Sequence, residues 1–131
     1  MNRLLYISTA RRLLANTELE GILRTSRVAN AAVDVTGILA VGGRRFLQLL
    51  EGPADAVETV FARIQRDPRH FAIVKLSNHE IDQRQTGDWS MAFHDVASGR
   101  DMPAIVAKLI KEIRDPALAA EFSQFAKRHA A

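Results

Sequence analysis

The sequence of 131 residues predicts a single α+β domain, and three observations lead to this prediction. Short apolar, strand-like segments alternate with two segments in which apolar residues recur at helical spacing. A Gly42-Gly43 pair lies between two of the strand-like segments, which is typical of an antiparallel hairpin. The length allows one compact domain with a real core and is too short for two.

The predicted elements follow the order βαββαββ and end with two further helices. They are strand 4–8, a helix from Thr17 to about Asn30, strand 35–41, a strand from Arg45, a helix over 57–64, strand 71–76, strand 90–94, and helices from Asp101 and Asp115. Thr17 and Glu20 match a capping box at the start of the first helix. Gly52-Pro53 ends the third strand and places proline near the first position of the next helix.

After the third strand the chain carries one clear helical period and two further strands. Val57, Val60, Phe61 and Ile64 are spaced i, i+3, i+4 and i+7, and the Asp67-Pro68 pair closes this second helix. The stretch from residue 78 to 88 is polar and predicts an irregular segment before the fifth strand.

This order of elements is that of a ferredoxin-like fold, with the two helices on one face of a mixed, mainly antiparallel five-stranded sheet. The other face would carry Leu5, Ile7, Leu47 and Leu49, and such an apolar face is not stable in water. We expect the two last helices to cover it. The domain is therefore divided into a core over 1–96 and a C-terminal helical cap over 97–131.

The composition is that of an ordinary globular protein, with 47% hydrophobic and 25% charged residues. There are no cysteines, which excludes disulfides and thiolate metal sites. The net charge of +3 is spread along the chain and aromatic residues make up 6%, which disfavours a nucleic-acid interface. Neither a membrane span nor a signal peptide is apparent, and we expect a soluble, cytoplasmic protein.

Motifs of classical enzyme chemistry are absent from the sequence. The glycine-rich phosphate loops, the dinucleotide fingerprint and the hydrolase nucleophile elbow are all missing, and the four histidines have no metal-ligand spacing. Two other classes remain open at this point. One is a ferredoxin-like, acylphosphatase-type hydrolase, for which Arg11-Arg12 is a poor match to a phosphate loop, and the other is a ligand-free dimerisation module.

The third predicted strand places a polar side chain on an apolar face. Alternate residues of a strand share a face, so Gln48 points the same way as Phe46 and Leu50. A buried primary amide has two donors and two acceptor sites to satisfy, and leaving them unpaired costs about 1–3 kcal/mol. Gln48 therefore needs a partner.

Further polar groups fall near Gln48 in this topology. Tyr6 lies in the first strand, the central neighbour of the third, and the helix-one residues Ile22, Ser26 and Asn30 are spaced by four along one stripe. These groups either satisfy one another in the core or surround a polar, planar ligand.

From about residue 4 to 95 the chain resembles the BLUF family, the blue-light sensors using flavin. The matching segments are Tyr6, "TSRVAN" ending in Asn30, "VTGIL" at 35–39, "RFLQLLEGP" with Gln48, "IQRDPRH" at 64–70, and "GDWSM" with Trp89 and Met91. Each segment is weakly specific, whereas their order and spacing together are strongly specific. Ala29 departs from the pattern, because many relatives carry a polar residue there.

The resemblance implies a flavin ring between the two helices of one sheet face. It assigns flavin contacts to Ile22, Ser26, Asn30, Phe46, Gln48, Leu50, Arg63, Ile64, Asp67, Arg69 and His70. Gln48 would bridge the Tyr6 hydroxyl and the flavin N5/O4 edge, and Asn30 would bind the C4 carbonyl and N3 edge. The charged residues at the end of helix two would face the ribityl and phosphate groups of FAD, with FMN or riboflavin as possible substitutes.

The same resemblance implies a non-enzymatic blue-light photoreceptor. Light would drive electron and proton transfer from Tyr6 to the flavin, and Gln48 would then rearrange its hydrogen bonds. The signal would leave through the fifth strand, where we expect Met91 near the flavin and Trp89 nearer the sheet edge. The chain resembles the short members of the family, which act through a separate effector protein or through homo-oligomers.

Overall fold

A computed structural model describes residues 1–85, 92–94, 102–111 and 113–129 of the chain. The elements are β1 (Asn2–Ala10), α1 (Asn16–Ala32), β2 (Thr36–Gly42), β3 (Arg45–Gly52), α2 (Ala54–Gln65), β4 (His70–Glu80), β5 (Ala92–His94), α3 (Met102–Ile110) and α4 (Pro116–His129). The α+β class with an antiparallel sheet is confirmed. Trp89 and Met91 lie outside the described residues, as does the start of the fifth strand predicted at Ser90.

The strands form one sheet in the order β4-β1-β3-β2-β5. The strand β1 pairs antiparallel with both β3 and β4, and β2 pairs antiparallel with β3, whereas β5 runs parallel to β2. The prediction that the first and third strands are central neighbours is therefore confirmed. In this register Tyr6 lies directly opposite Gln48, and Leu39 lies opposite Gln48 on its other side.

Each face of the sheet meets a different part of the chain. Even-numbered residues of β1 face α2, since the Tyr6 ring contacts Phe61. Odd-numbered residues face the C-terminal helices, since Arg3 reaches Asp115 just before α4. On that second face, Leu5 and Leu49 are fully buried, and α4 packs on β2 and β3. None of the helices in the described ranges has the length and apolar character needed to cross a bilayer.

The start of α1 differs from the prediction. The helix begins at Asn16, and the Glu18 carboxylate accepts a hydrogen bond from the Ala15 N–H at 3.2 Å. Glu18 also pairs with Arg12 at 2.5 Å, which holds it in place beside the first turn. The predicted capping box of Thr17 and Glu20 is therefore wrong. Glu18 instead stabilises the first turn of α1, because it accepts the Ala15 N–H and pairs with Arg12 in the preceding loop.

Two other predicted boundaries are also corrected. The strand β4 continues to Glu80, so the predicted irregular segment does not begin at residue 78. Asn78 and His79 still pair with β1 through the backbone. An edge strand can pair in this way without burying apolar side chains, so the polar sequence does not end it. The β2–β3 hairpin turns at Gly43 and Arg44, since Gly42 pairs with Arg45, and Gly43 has a φ of 57°.

Gly37 occupies a place in β2 where no side chain fits. A Cβ atom at this position would overlap the backbone carbonyl oxygen of Leu49 on the neighbouring strand. Gly21, in the middle of α1, has no atom within 4 Å of the position that its Cβ would take. The first glycine is therefore required by close packing of two strands, and the second is not.

Candidate functional site

A cavity of about 200 Å³ lies among α1, α2 and the strands β1, β2 and β3. Its lining includes these predicted site residues: Tyr6, Ile22, Ser26, Asn30, Phe46, Gln48, Arg63, Ile64, Asp67, Arg69 and His70. The lining is mainly apolar and also contains polar residues of α1, β1 and β3 and charged residues at and after the end of α2. Such a lining suits a largely apolar ligand that also carries polar and anionic groups.

Tyr6 and Gln48 form the polar centre of the cavity. Their positions are opposite each other on adjacent strands, and the Tyr6 hydroxyl donates a hydrogen bond to the Gln48 amide oxygen. Both residues are buried, with 4% and 7% of their surface exposed. Tyr6 is therefore one partner of the buried glutamine amide, as the strand pattern requires.

The surroundings of Tyr6 keep its hydroxyl protonated. Burial raises the pKa of Tyr6 well above its ordinary value, and the negative charge of Asp67 raises it further. The Tyr6 ring packs against Phe61 with centroids 5.4 Å apart, and the Lys75 ammonium lies 5.2 Å from the centre of the Phe61 ring. The phenol therefore enters any reaction as a neutral hydrogen-bond donor.

Helix α1 presents one stripe of side chains to the cavity. Ile22, Ser26 and Asn30 all line it, as their spacing predicts. Asn30 is only 3% exposed, yet its amide forms no hydrogen bond with the part of the chain that the structure describes. A buried amide that faces a cavity without an intramolecular hydrogen bond can bind a ligand that offers both an acceptor and a donor.

The charged end of the cavity is organised by Asp67 and Arg69. The Arg69 Nε and Nη2 atoms bind the two Asp67 carboxylate oxygens at 2.9 and 2.5 Å, and the Arg69 N–H adds a third bond at 2.9 Å. These bonds hold the pKa of Asp67 below its ordinary value, against the opposite effect of partial burial. Arg63 lines the same end from the last turn of α2.

His70 connects this charged end to β1. Its Nε2 atom lies 2.6 Å from the Ile64 carbonyl oxygen, and its Nδ1 atom lies 2.9 Å from the Ser8 hydroxyl. A carbonyl oxygen can only accept, so Nε2 carries a proton, whereas the Ser8 hydroxyl can either donate to Nδ1 or accept from it. His70 thereby fixes the end of α2 to the strand that carries Tyr6.

One predicted contact residue does not line the cavity. Leu50 is fully buried and pairs with Leu4 and Gly37 inside the sheet. Sequence reasoning missed several lining residues, all but Thr25 apolar, namely Leu14, Leu19, Leu23, Thr25, Ala29, Leu39 and Val60. Leu39 could have been found from the hairpin, because a turn after Gly42 places it opposite Gln48.

A family model described as sensors of blue-light using FAD, the BLUF family, matches residues 1–92. The chain belongs to the BLUF family. As a BLUF domain it is a member of the flavin-binding sensors of blue light. Its cavity is lined by apolar side chains, by the Asn30 and Gln48 amides, and by Arg63 and Arg69.

Relatives of this BLUF domain include parts of larger proteins and a protein of similar size. This chain is 35% identical over 92 residues to the photoactivated adenylate cyclase subunit beta of Euglena longa. The matched region covers 70% of this chain and 11% of that protein. It thus spans about a tenth of the length of that curated relative.

Two solved structures are similar over almost the whole chain. The dark state of the BLUF protein BlrB has a TM-score of 0.73 and 32% identity, with 97% of this chain and 96% of that chain covered. Klebsiella pneumoniae BlrP1 with FMN and cyclic diGMP has a TM-score of 0.82 and 25% identity, with 96% of this chain and 34% of that chain covered.

Proposed function

We propose that this BLUF domain is a blue-light photoreceptor that binds FAD noncovalently and signals through Tyr6 and Gln48. In this proposal, electron and proton transfer from Tyr6 to the flavin is followed by rearrangement of the Gln48 hydrogen bonds. The observation that carries the proposal is the buried hydrogen bond from the Tyr6 hydroxyl to the Gln48 amide oxygen at the wall of the cavity. This is a donor and a reorientable group already in contact.

The cavity lining suggests which side chains would hold the flavin. Ile22 and Ile64 would lie on either side of the ring, and Phe46 would lie beneath it. Leu50, which is buried inside the sheet, would support Phe46 and Gln48 on the same face of the strand.

Polar and charged side chains would bind the edge and the tail of the flavin. The Asn30 and Gln48 amides would bind the polar edge of the ring, with Ser26 beside them on α1. Arg63, Arg69 and His70 would face the ribityl and phosphate groups, where guanidinium groups form strong charge-assisted bonds to phosphate oxygens. We infer FAD as the cofactor from the family description, while a solved relative carries FMN.

A bound flavin supplies blue-light absorption and an excited state that accepts an electron. Tyr6 is placed to respond, because a phenol that loses an electron also releases its proton and Gln48 lies at the end of that O–H bond. The Gln48 amide can turn end for end, or exchange tautomer, between two hydrogen-bond patterns of similar energy. Such a group is a two-state element that light can bias, which is the minimum requirement for a switch.

The rest of the chain would serve output, without enzyme activity of its own. In this proposal the ferredoxin-like core over 1–96 carries the light-sensitive site on one face, and the cap over 97–131 covers the other. The signal would pass through the fifth strand, at Trp89 and Met91, to the cap. A separate effector protein or self-assembly into a homo-oligomer would then receive it.

Absorption spectroscopy of the purified chain tests this function directly. We expect a yellow protein with a flavin spectrum that shifts to longer wavelength under blue light and recovers in the dark. Chromatography of the cofactor released by denaturation identifies FAD, FMN or riboflavin. A chain that stays colourless after incubation with all three would contradict the proposal and favour the ligand-free dimerisation module.

Replacing Asn30 by alanine should weaken flavin binding without unfolding the protein. The substitution removes the amide that we assign to the C4 carbonyl and N3 edge, and one lost hydrogen bond of this kind costs about 1–3 kcal/mol. The dissociation constant measured by quenching of flavin fluorescence should rise by about 5- to 150-fold. Asn78→Ala, on the exposed edge strand, is the matched control and should bind as the wild type. Equal affinity of the Asn30→Ala variant would make Asn30 a structural residue.

A further inference from the structure

A group of polar side chains on the far face of the sheet connects β1 and β3 to the start of α4. We call Arg3, Glu51, Gln85 and Asp115 the polar bridge. Arg3 and Glu51 are 5% and 0% exposed, so two charged side chains are buried here. Charged groups are buried at a considerable free-energy cost unless they are paired, so their placement requires an explanation.

The strand end of the polar bridge lies on the same two strands as Tyr6 and Gln48. Arg3 and Glu51 are cross-strand partners, as are Tyr6 and Gln48, and the two pairs lie three residues apart on the same two strands. An odd separation places them on opposite faces, about 10 Å apart along the strands. A change in how β1 and β3 meet at Tyr6 and Gln48 therefore acts on both charged groups.

Gln85 connects Glu51 on β3 to the residues just before α4. The Glu51 carboxylate accepts the Gln85 backbone N–H, with N···O distances of 2.8 and 3.0 Å to its two oxygens. The Gln85 side-chain oxygen in turn accepts the N–H groups of Arg114 and Asp115, at 2.6 and 3.2 Å. One residue therefore joins β3 to the segment that leads into α4.

Asp115 closes the connection back to β1. One carboxylate oxygen accepts the N–H of Ala117 at 3.0 Å, which caps the first turn of α4. The other oxygen lies 2.5 Å from Arg3 Nη2, and the same Arg3 atom lies 2.9 Å from His79 Nε2 on β4. Both β1 and β3 are thus connected to the start of α4: β1 through the charge-assisted Arg3–Asp115 contact, and β3 through Glu51 and the neutral Gln85 amide.

We propose that the response of the Tyr6–Gln48 pair reaches α4 mainly through the polar bridge, with Gln85 as the positioning residue at its centre, while the fifth strand serves the rest of the cap. This inference rests on the proposed function, since it concerns the signal that starts at that pair. A rearrangement on one face of β1 and β3 alters the bonds that Arg3 and Glu51 make on the other face, and the end of α4 responds.

The variant Gln85→Met tests this role in the flavin-loaded full chain. Methionine has a similar length and keeps the backbone N–H that Glu51 accepts, but it removes the acceptor for Arg114 and Asp115. We expect a spectral red shift equal to that of the wild type. The light-minus-dark difference in hydrogen exchange over residues 116–129 should fall by about fivefold or more.

The neighbouring variant Gln83→Met is the matched control, because Gln83 is exposed, and it should keep the full exchange difference. A Gln85→Met protein that forms the red shift and retains the wild-type exchange difference in α4 would overturn the proposal. Absence of any red shift in the wild type would instead reject the proposed function.

A second variant tests the other arm if Gln85→Met fails to bind flavin. Asp115→Asn keeps an oxygen acceptor for the first turn of α4 and weakens the charge-assisted contact with Arg3. The same loss of light-dependent exchange in α4 would support the polar bridge. An unchanged exchange difference together with a normal red shift would refute it.

Discussion

Replacing Tyr6 by phenylalanine is expected to leave flavin bound and to abolish the light-induced red shift. Phenylalanine keeps the ring that packs against Phe61 and removes only the hydroxyl that donates to Gln48. Without that hydroxyl, the phenolic electron donor and its proton are both absent. No transfer from residue 6 then changes the hydrogen bonds of Gln48. Light-minus-dark absorption spectra of the loaded variant measure the effect.

The composition of the chain allows the two candidate electron donors to be tested separately. Tyr6 is the only tyrosine and Trp89 the only tryptophan, so each oxidisable ring can be removed singly. Trp89→Phe is the matched control, and we expect its red shift to persist. A Tyr6→Phe variant that still shows a wild-type red shift would show that the electron comes from another group.

Replacing Gly37 by alanine is expected to lower the free energy of unfolding of this chain substantially. The added Cβ would overlap the Leu49 carbonyl oxygen, and backbone on a central strand pair cannot move aside as a side-chain end can. Ordinary overpacking costs about 1–3 kcal/mol, and a backbone overlap of this kind should reach at least the upper value. Urea unfolding of the chain followed by circular dichroism measures the change.

Gly21→Ala is the control, with the opposite expected sign. This glycine is inside α1 with open space around its Cβ position, and alanine in a helix interior is favoured over glycine by about 0.5–1 kcal/mol. Equal stability of the Gly37→Ala protein and the wild type would show that β2 and β3 can separate locally.

Much of the candidate site could be predicted from the sequence, because two periodicities determine which side chains share a face. The period of two placed Gln48 on the buried face of its strand, and the helical period aligned Ile22, Ser26 and Asn30 along the cavity. The strand order then placed Tyr6 opposite Gln48. The flavin-binding family entered only through the resemblance, and the family match over residues 1–92 confirms it.

The remaining features depend on contacts between distant parts of the chain, which no local pattern records. The start of α1 is set by the pairing of Arg12 with Glu18, and β4 extends because its backbone pairs with β1. The polar bridge requires Asp115 to meet Arg3 across most of the sequence. A buried charge in a strand, such as Glu51, is the one local signal that could have pointed to it.

The position of β5 has a consequence for how firmly it is held in the sheet. Strands β1 to β4 pair with one another antiparallel, whereas the described residues of β5 add to the far edge as three residue pairs parallel to β2. The four antiparallel strands are joined to one another without β5, so detaching it leaves their pairing intact. We expect the free energy of detaching this edge strand to be smaller than that of global unfolding. It is then the part of the sheet that a modest input of free energy at Gln48 can most readily shift.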